Sequence, residues 1–242
     1  MIAVRSLVFN LTFFAWTTLV TVFALPLLLA PRNAASDLGG WWSGTVLALA
    51  AKILRLDYEV RGTQYLPAGA CIVAMKHQST WDTLAIPVLL RRPAIVIKRE
   101  LLWIPFYGWY LRRAGMLPVD RSGGASALKA LIRQARAAIS QGHPIAIFPE
   151  GTRTAVGARR PYLPGVSALY AQLGVPVVPA AVNSGLFWGR RAFLKRPGRI
   201  VVEFLPPIEP GLDRRLFAAF LEARIEAATA HLVAETRTRG IG

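Results

Sequence analysis

Residues 71–82 read Cys71-Ile72-Val73-Ala74-Met75-Lys76-His77-Gln78-Ser79-Thr80-Trp81-Asp82, an unbroken apolar run that stops abruptly at charged and polar side chains. A continuous run, without the alternation of a half-exposed strand, is expected where helices cover both faces of a sheet. That arrangement belongs to parallel sheets wrapped by helices. A helical pattern then runs through 84–90, so His77 falls at the carboxyl end of a strand. Open α/β sheets gather their ligand sites at such ends. Four residues separate His77 from Asp82, a spacing that does not place two side chains on one helix face. His77 is therefore expected just before the helix, and Asp82 within its first turn.

The same alternation extends outward. Further apolar runs at 58–61, 94–97, 116–119, 145–148, 177–182 and 200–204 read as strands. Between them, 125–141 carries Leu128, Leu131, Ile132, Ala135 and Ile139 on one helical face, with Gly142 as its stop. A last helix over 214–236 is expected to bury Phe217, Phe220, Leu221, Ile225 and Leu232. The fold class is α/β: a mostly parallel sheet flanked by helices, occupying 57–242.

Residues 1–56 have a different character. Between Arg5 and Arg32 there is no charged residue, and the stretch is long enough to cross a bilayer as a helix. It is too long for the apolar core of a usual signal peptide and lacks a small-x-small cleavage site. A second apolar stretch, 41–51, is too short to span and reads as lying in the interface, with Trp41 and Trp42 at headgroup level. The expectation is a membrane-embedded helical hairpin that keeps both ends with the basic body.

Composition agrees with a lipid surface. The 242 residues are 54% hydrophobic yet carry a net charge of +16, a combination that draws the chain to anionic partners. Nucleic acid is the competing partner, suggested by Arg190, Arg191, Lys195, Arg196 and Arg199. No zinc-finger, helix-turn-helix or RNP pattern accompanies those charges, so no nucleic acid is expected. Cys71, the single cysteine, excludes an internal disulfide and sits in the apolar run, where it reads as core.

Three constellations carry chemistry. An imidazole with a carboxylate at one ring nitrogen is held as a neutral base, which assigns such a role to His77 and Asp82. Phe148-Pro149-Glu150-Gly151-Thr152-Arg153 closes another strand with a turn that combines a glycine, a hydroxyl and a forked cation, the components of an anion site. Gly115-Met116-Leu117-Pro118-Val119-Asp120-Arg121 ends a third strand on an arginine that could complete it. No GxxxxGK[ST] or GxGxxG spacing is present.

In this order and spacing the three pieces resemble the glycerolipid acyltransferase family, in its bacterial 1-acyl-sn-glycerol-3-phosphate branch. Lys98-Arg99-Glu100-Leu101 with Pro105 and Gly108, and Val175-Pro176-Val177-Val178-Pro179, extend the resemblance to roughly residues 55 to 210. Two positions depart from the pattern: Leu117-Pro118-Val119 replaces a more aromatic or isoleucine-rich run, and Lys76 replaces the commoner asparagine.

The resemblance implies that His77 is the base and Asp82 its partner. It implies that Arg121, Glu150, Gly151, Thr152 and Arg153 bind the acceptor's phosphate. The reaction implied is transfer of an acyl group from acyl-coenzyme A or acyl carrier protein to the sn-2 hydroxyl of lysophosphatidic acid, with no metal and no bound cofactor. Lys98 or backbone amides would serve the oxyanion, and 101–107 would line an acyl slot or dip into the bilayer. The implied location is the bacterial inner membrane, with the site facing the cytoplasm. Two alternatives stand beside it: an O-acyltransferase for another lysolipid, such as lyso-ornithine lipid, and a non-catalytic lipid-binding protein.

Overall fold

A computed structural model describes residues 1–238. In chain order the main elements are α1 (Ile2–Phe23), α2 (Arg32–Leu49), β1 (Leu56–Arg61), β2 (Ile72–Met75), α3 (Thr80–Leu89), β3 (Ala94–Lys98), α4 (Tyr107–Arg113), β4 (Leu117–Val119), α5 (Gly124–Ser140), β5 (Ile145–Ile147), α6 (Pro164–Leu173), β6 (Val177–Val182), β7 (Gly198–Phe204) and α7 (Arg214–Thr238). The seven strands form one sheet in the order β1-β7-β6-β2-β5-β3-β4. Every neighbouring pair is parallel except β6 with β7.

Strand β2 shows why the apolar run is continuous. Val73 and Met75 enter one core cluster, with Trp81 and Leu84 of α3, while Ile72 and Ala74 enter another, with Leu131 of α5 and Leu169 of α6. Successive side chains point to opposite faces and both faces are covered, so no polar position is tolerated until the strand ends. The most buried strands therefore lie at the sheet's centre, and the loops after β2 and β5 meet at one edge of it.

The seven expected strands are all present, with ends shifted by at most two residues. Helix α6 had no recognisable signal. Val166, Ser167, Ala168, Leu169 and Tyr170 are all buried, so it lacks the one-sided stripe by which a surface helix is read. In α7, Phe217, Leu221, Ile225 and Leu232 are buried as expected, but Phe220 is exposed beneath the Arg224 guanidinium.

The largest difference lies at the amino terminus. The second helix is not confined to 41–51; it begins at Arg32 and continues through a π-helical stretch, Ala50–Leu54. Its Val46 and Leu47, with Ala50, Leu54 and Phe9 of α1, belong to the same core cluster as Trp81 and Val178. Trp42 packs on that cluster while Trp41 is exposed. Polar ties reinforce the packing: Asp37 accepts two hydrogen bonds of 2.7 Å from Arg92, and Arg32 donates to the Ala114 carbonyl. Because the core crosses residue 56, a chain starting at 57 would expose the face of β2 and α3 that α2 covers. Such a fragment is not expected to keep its fold.

Candidate active site

Helix α3 is started by a capping box. The Ser79 hydroxyl accepts from Trp81 N, and the Asp82 carboxylate accepts from Ser79 N at 2.8 Å and Gln78 N at 2.7 Å. Such a box satisfies amide donors that a helix start otherwise leaves unpaired. The same carboxylate oxygen lies 3.0 Å from His77 Nδ1, and the other accepts from the Ser184 hydroxyl at 2.5 Å. Asp82 is wholly buried. With Nδ1 directed at a buried carboxylate, the proton belongs on Nδ1 and Nε2 is left as the basic atom. The ring is stacked on Phe148, with centroids 3.9 Å apart, which fixes its plane.

His77 lines a cavity of about 850 Å³. Arg121, Gly151, Thr152 and Arg153 share its wall, as do Lys98, Arg190 and Arg191. Gly151 has a φ of +66° and a β-carbon there would lie 2.3 Å from Leu163 Cδ1, so the turn both needs a left-handed residue and leaves little room for a side chain. The same position is 4.0 Å from Arg121 Nε, which places the end of β4 against the turn after β5. Arg153 donates to the Thr80 hydroxyl at 2.6 Å, a contact that aims its guanidinium and leaves further N–H groups for a ligand. Lys98 reaches the wall while pairing with Glu100 at 2.9 Å, a largely exposed contact of little energy.

Glu150 is placed differently from the expectation. Its side chain is enclosed, 3.1 Å from Lys76 Nζ, and accepts from His77 N at 3.3 Å. It meets neither Arg153 nor the cavity and lies behind His77. Lys76 is itself buried and pairs with Glu226 of α7 at 2.5 Å; Tyr162 donates to the same Glu226 oxygen at 3.0 Å. Burial pushes the Glu150 carboxyl above its ordinary range, against the pull of the Lys76 ammonium. The departure at Lys76 thus comes with its own carboxylate partner on the last helix. Sequence reading missed Lys76, Glu226, Ser184 and Thr80 as parts of the site. Their partners are remote in sequence, and nothing in the local pattern marks them. Cys71 is core, its thiol pushed up to about 11 by burial.

A smaller apolar chamber of about 130 Å³ adjoins the cavity, sharing Thr17, Trp42, Leu84, Ile97, Leu101 and Tyr107 with it. It runs between α1, α2, α3 and α4. The 101–107 stretch divides accordingly: Leu101 and Tyr107 face inward, whereas Trp103, Ile104 and Phe106 are exposed.

The acyltransferase family model matches residues 57–183, which span His77, Asp82, Lys98, Arg121 and the turn at 148–153, while Ser184, Arg190, Arg191 and Glu226 lie beyond it. The chain belongs to the acyltransferase family. Among its relatives is the 1-acyl-sn-glycerol-3-phosphate acyltransferase of Pseudomonas aeruginosa, 34% identical over 96% of this chain and 91% of the relative. The alpha enzyme of that name from Mus musculus is 33% identical over 67% of this chain and 59% of its own length. The crystal structure of the 1-acyl-sn-glycerophosphate acyltransferase from Thermotoga maritima has the same fold, with a TM-score of 0.79, 22% identity and coverage of 96% of this chain and 98% of that one. In this acyltransferase the family match begins at β1 and ends after β6, so α1, α2, β7 and α7 are additions to the matched segment.

Proposed function

We infer that this acyltransferase esterifies the sn-2 hydroxyl of 1-acyl-sn-glycerol 3-phosphate, giving phosphatidic acid. The observation that carries the reading is one cavity holding an imidazole oriented by a buried carboxylate together with Arg121 and Arg153. His77 Nε2 takes the hydroxyl proton as that oxygen attacks the thioester carbonyl. The C–S bond breaks as the tetrahedral intermediate collapses, and the imidazolium returns the proton to the leaving thiolate. Asp82 holds the neutral tautomer and stabilises the imidazolium. No acyl-enzyme is required, since a thioester is already activated and the site's main task is to hold two amphiphiles in register. We assign the donor as acyl-coenzyme A or acyl carrier protein, the oxyanion contact to Lys98 or a backbone amide, and the acyl chain to the apolar chamber. Arg121, Arg153 and the turn at Gly151 and Thr152 take the phosphate, with Glu150 acting through Lys76 and the His77 amide.

The test is acyl transfer by the purified full-length chain, comparing lysophosphatidate with lyso-ornithine lipid and other lysolipids, each with both donors. Efficient transfer confined to acceptors without a phosphomonoester would overturn the assignment. Within that assay Arg153→Ala is expected to raise the acceptor KM by roughly tenfold to a hundredfold, the worth of a charge-assisted contact to phosphate, with a smaller change in kcat. A rise in donor KM alone would mean that the anion site belongs to the donor.

We further propose that residues 1–56 hold the catalytic body, 57–242, on the cytoplasmic leaflet of the inner membrane, with the cavity facing the cytoplasm. Support comes from α1, whose Phe9 and Phe13 pack on the core while Val4, Leu7, Leu11 and Phe14 are exposed or outward-facing. A helix docked along the body in this way suits embedding in one leaflet. Substituting Leu7, Leu11 and Phe14 together by lysine is expected to move the enzyme from the detergent-extracted to the salt-extracted fraction. Continued resistance of that variant to salt would place the anchor elsewhere.

A further inference from the structure

The loop 189–196, Gly189-Arg190-Arg191-Ala192-Phe193-Leu194-Lys195-Arg196, is turned inside out. Phe193 and Leu194 are about half exposed, at 52% and 50%, whereas the adjacent Lys195 is 4% exposed. Burying an ammonium and exposing two large apolar side chains is the reverse of ordinary solvation. The buried lysine acts as a pin. Its Nζ donates to Asn10 Oδ1 at 2.8 Å and to the Phe193 carbonyl at 3.1 Å, and lies 4.9 Å from the Trp188 ring centroid. Its amide donates to the Ser6 hydroxyl at 2.9 Å. Arg196 N bonds the Phe187 carbonyl at 2.8 Å, and Arg191 is held at a φ of +56°, a conformation uncommon for a residue with a side chain.

These contacts fasten the loop to α1 near its amino-terminal end and point Phe193 and Leu194 outward. The opposite end of α1 is fastened to α4 by the Tyr110 hydroxyl on the Thr21 carbonyl, beside the exposed Trp103, Phe106 and Trp109. Arg190 and Arg191, at the start of the loop, line the active-site cavity. The loop thus joins the apolar outer face of α1 to the cavity's rim.

We propose that the 189–196 loop is a second membrane contact, which inserts Phe193 and Leu194 into the leaflet beside α1 and sets Arg190, Arg191 and Arg196 among anionic headgroups. It rests on the bilayer reading of α1 and assigns a separate element to the same surface. The occupant is a bilayer because the exposed apolar side chains of the loop and of α1 are bordered by Arg190, Arg191 and Arg196, a charge that matches acidic headgroups. Basic side chains beside an inserted aromatic are the composition of an interfacial element, drawn to acidic lipid and anchored by burial. Its consequence for function is that the cavity rim rests at headgroup level, where the acceptor's phosphate lies.

The test uses the full-length enzyme carrying Cys71→Ala, with a single cysteine introduced by Phe193→Cys and labelled with an environment-sensitive dye. On vesicles of phosphatidylcholine and phosphatidylglycerol the dye is expected to shift to the blue and to be quenched by lipids spin-labelled high on the acyl chain. The same dye at Arg133→Cys, on α5 across the sheet from α1, should report water. In parallel, Phe193→Ser with Leu194→Ser is expected to lower turnover of vesicle-presented lysophosphatidate by roughly tenfold, and to leave turnover of a short-chain lysophosphatidate below its micellar concentration unchanged. An unquenched dye on enzyme that cosediments with vesicles overturns the proposal and leaves the bilayer reading of α1 standing. Failure of the unlabelled enzyme to cosediment at all strikes that reading instead. A dye that responds to acyl carrier protein and not to vesicles, or equal losses on both substrates, also overturns the proposal.

Discussion

Replacing His77 by alanine is expected to lower kcat by roughly a hundredfold or more, the usual contribution of a positioned general base, while leaving the protein folded. The two backbone bonds at this residue, from its amide to Glu150 and from the Thr154 amide to its carbonyl, do not depend on the side chain. The ring's stacking on Phe148 is lost, but it lies at the wall of an open cavity rather than in the sealed core, so the vacated space can fill with water. Both substrates keep their binding groups, and KM for each should change little. That pattern, a fall in kcat with constant KM, marks an interaction made chiefly in the transition state. Full-length His77→Ala with near-normal turnover and a native circular dichroism spectrum would end the mechanism.

The sheet was legible because its central strands are covered on both faces. In 72–75, 145–147 and 177–182 every residue is buried, and a continuous apolar run bounded by polar residues has few other readings. The contact between His77 and Asp82 was legible for a related reason: both lie within one strand-to-helix turn, so local spacing specified their meeting. What the sequence concealed depends on contacts between distant segments. Glu150 reads as part of the phosphate turn because it sits in one segment with Gly151, Thr152 and Arg153; the third dimension brings it to Lys76 instead, and Lys76 to Glu226. Helix α2 was read from the composition of 41–51 alone. Its first half is polar and small, Arg32-Asn33-Ala34-Ala35-Ser36-Asp37, and becomes helix through tertiary ties at Arg32 and Asp37 rather than through propensity.

Asp82→Asn is expected to lower kcat by roughly a hundredfold or more as well, and it separates charge from architecture. One carboxylate oxygen of Asp82 receives His77 Nδ1, Gln78 N and Ser79 N, and the other receives the Ser184 hydroxyl. An asparagine can place its carbonyl oxygen on the crowded side and keep all three nitrogen donors. Its amide then faces Ser184, whose hydroxyl can turn from donor to acceptor. The cap of α3 survives, and so does the tautomer with the proton on Nδ1. Only the negative charge that stabilises the imidazolium is gone, so a large kcat loss at nearly unchanged Tm assigns catalysis to that charge. Asp82→Ala should behave otherwise. It leaves buried donors unpaired and removes the cap, costing roughly 2 kcal/mol or more of stability, so its activity loss would mix both causes. Retention of most activity by Asp82→Asn in a folded enzyme would reduce Asp82 to a cap and leave His77 working without electrostatic support.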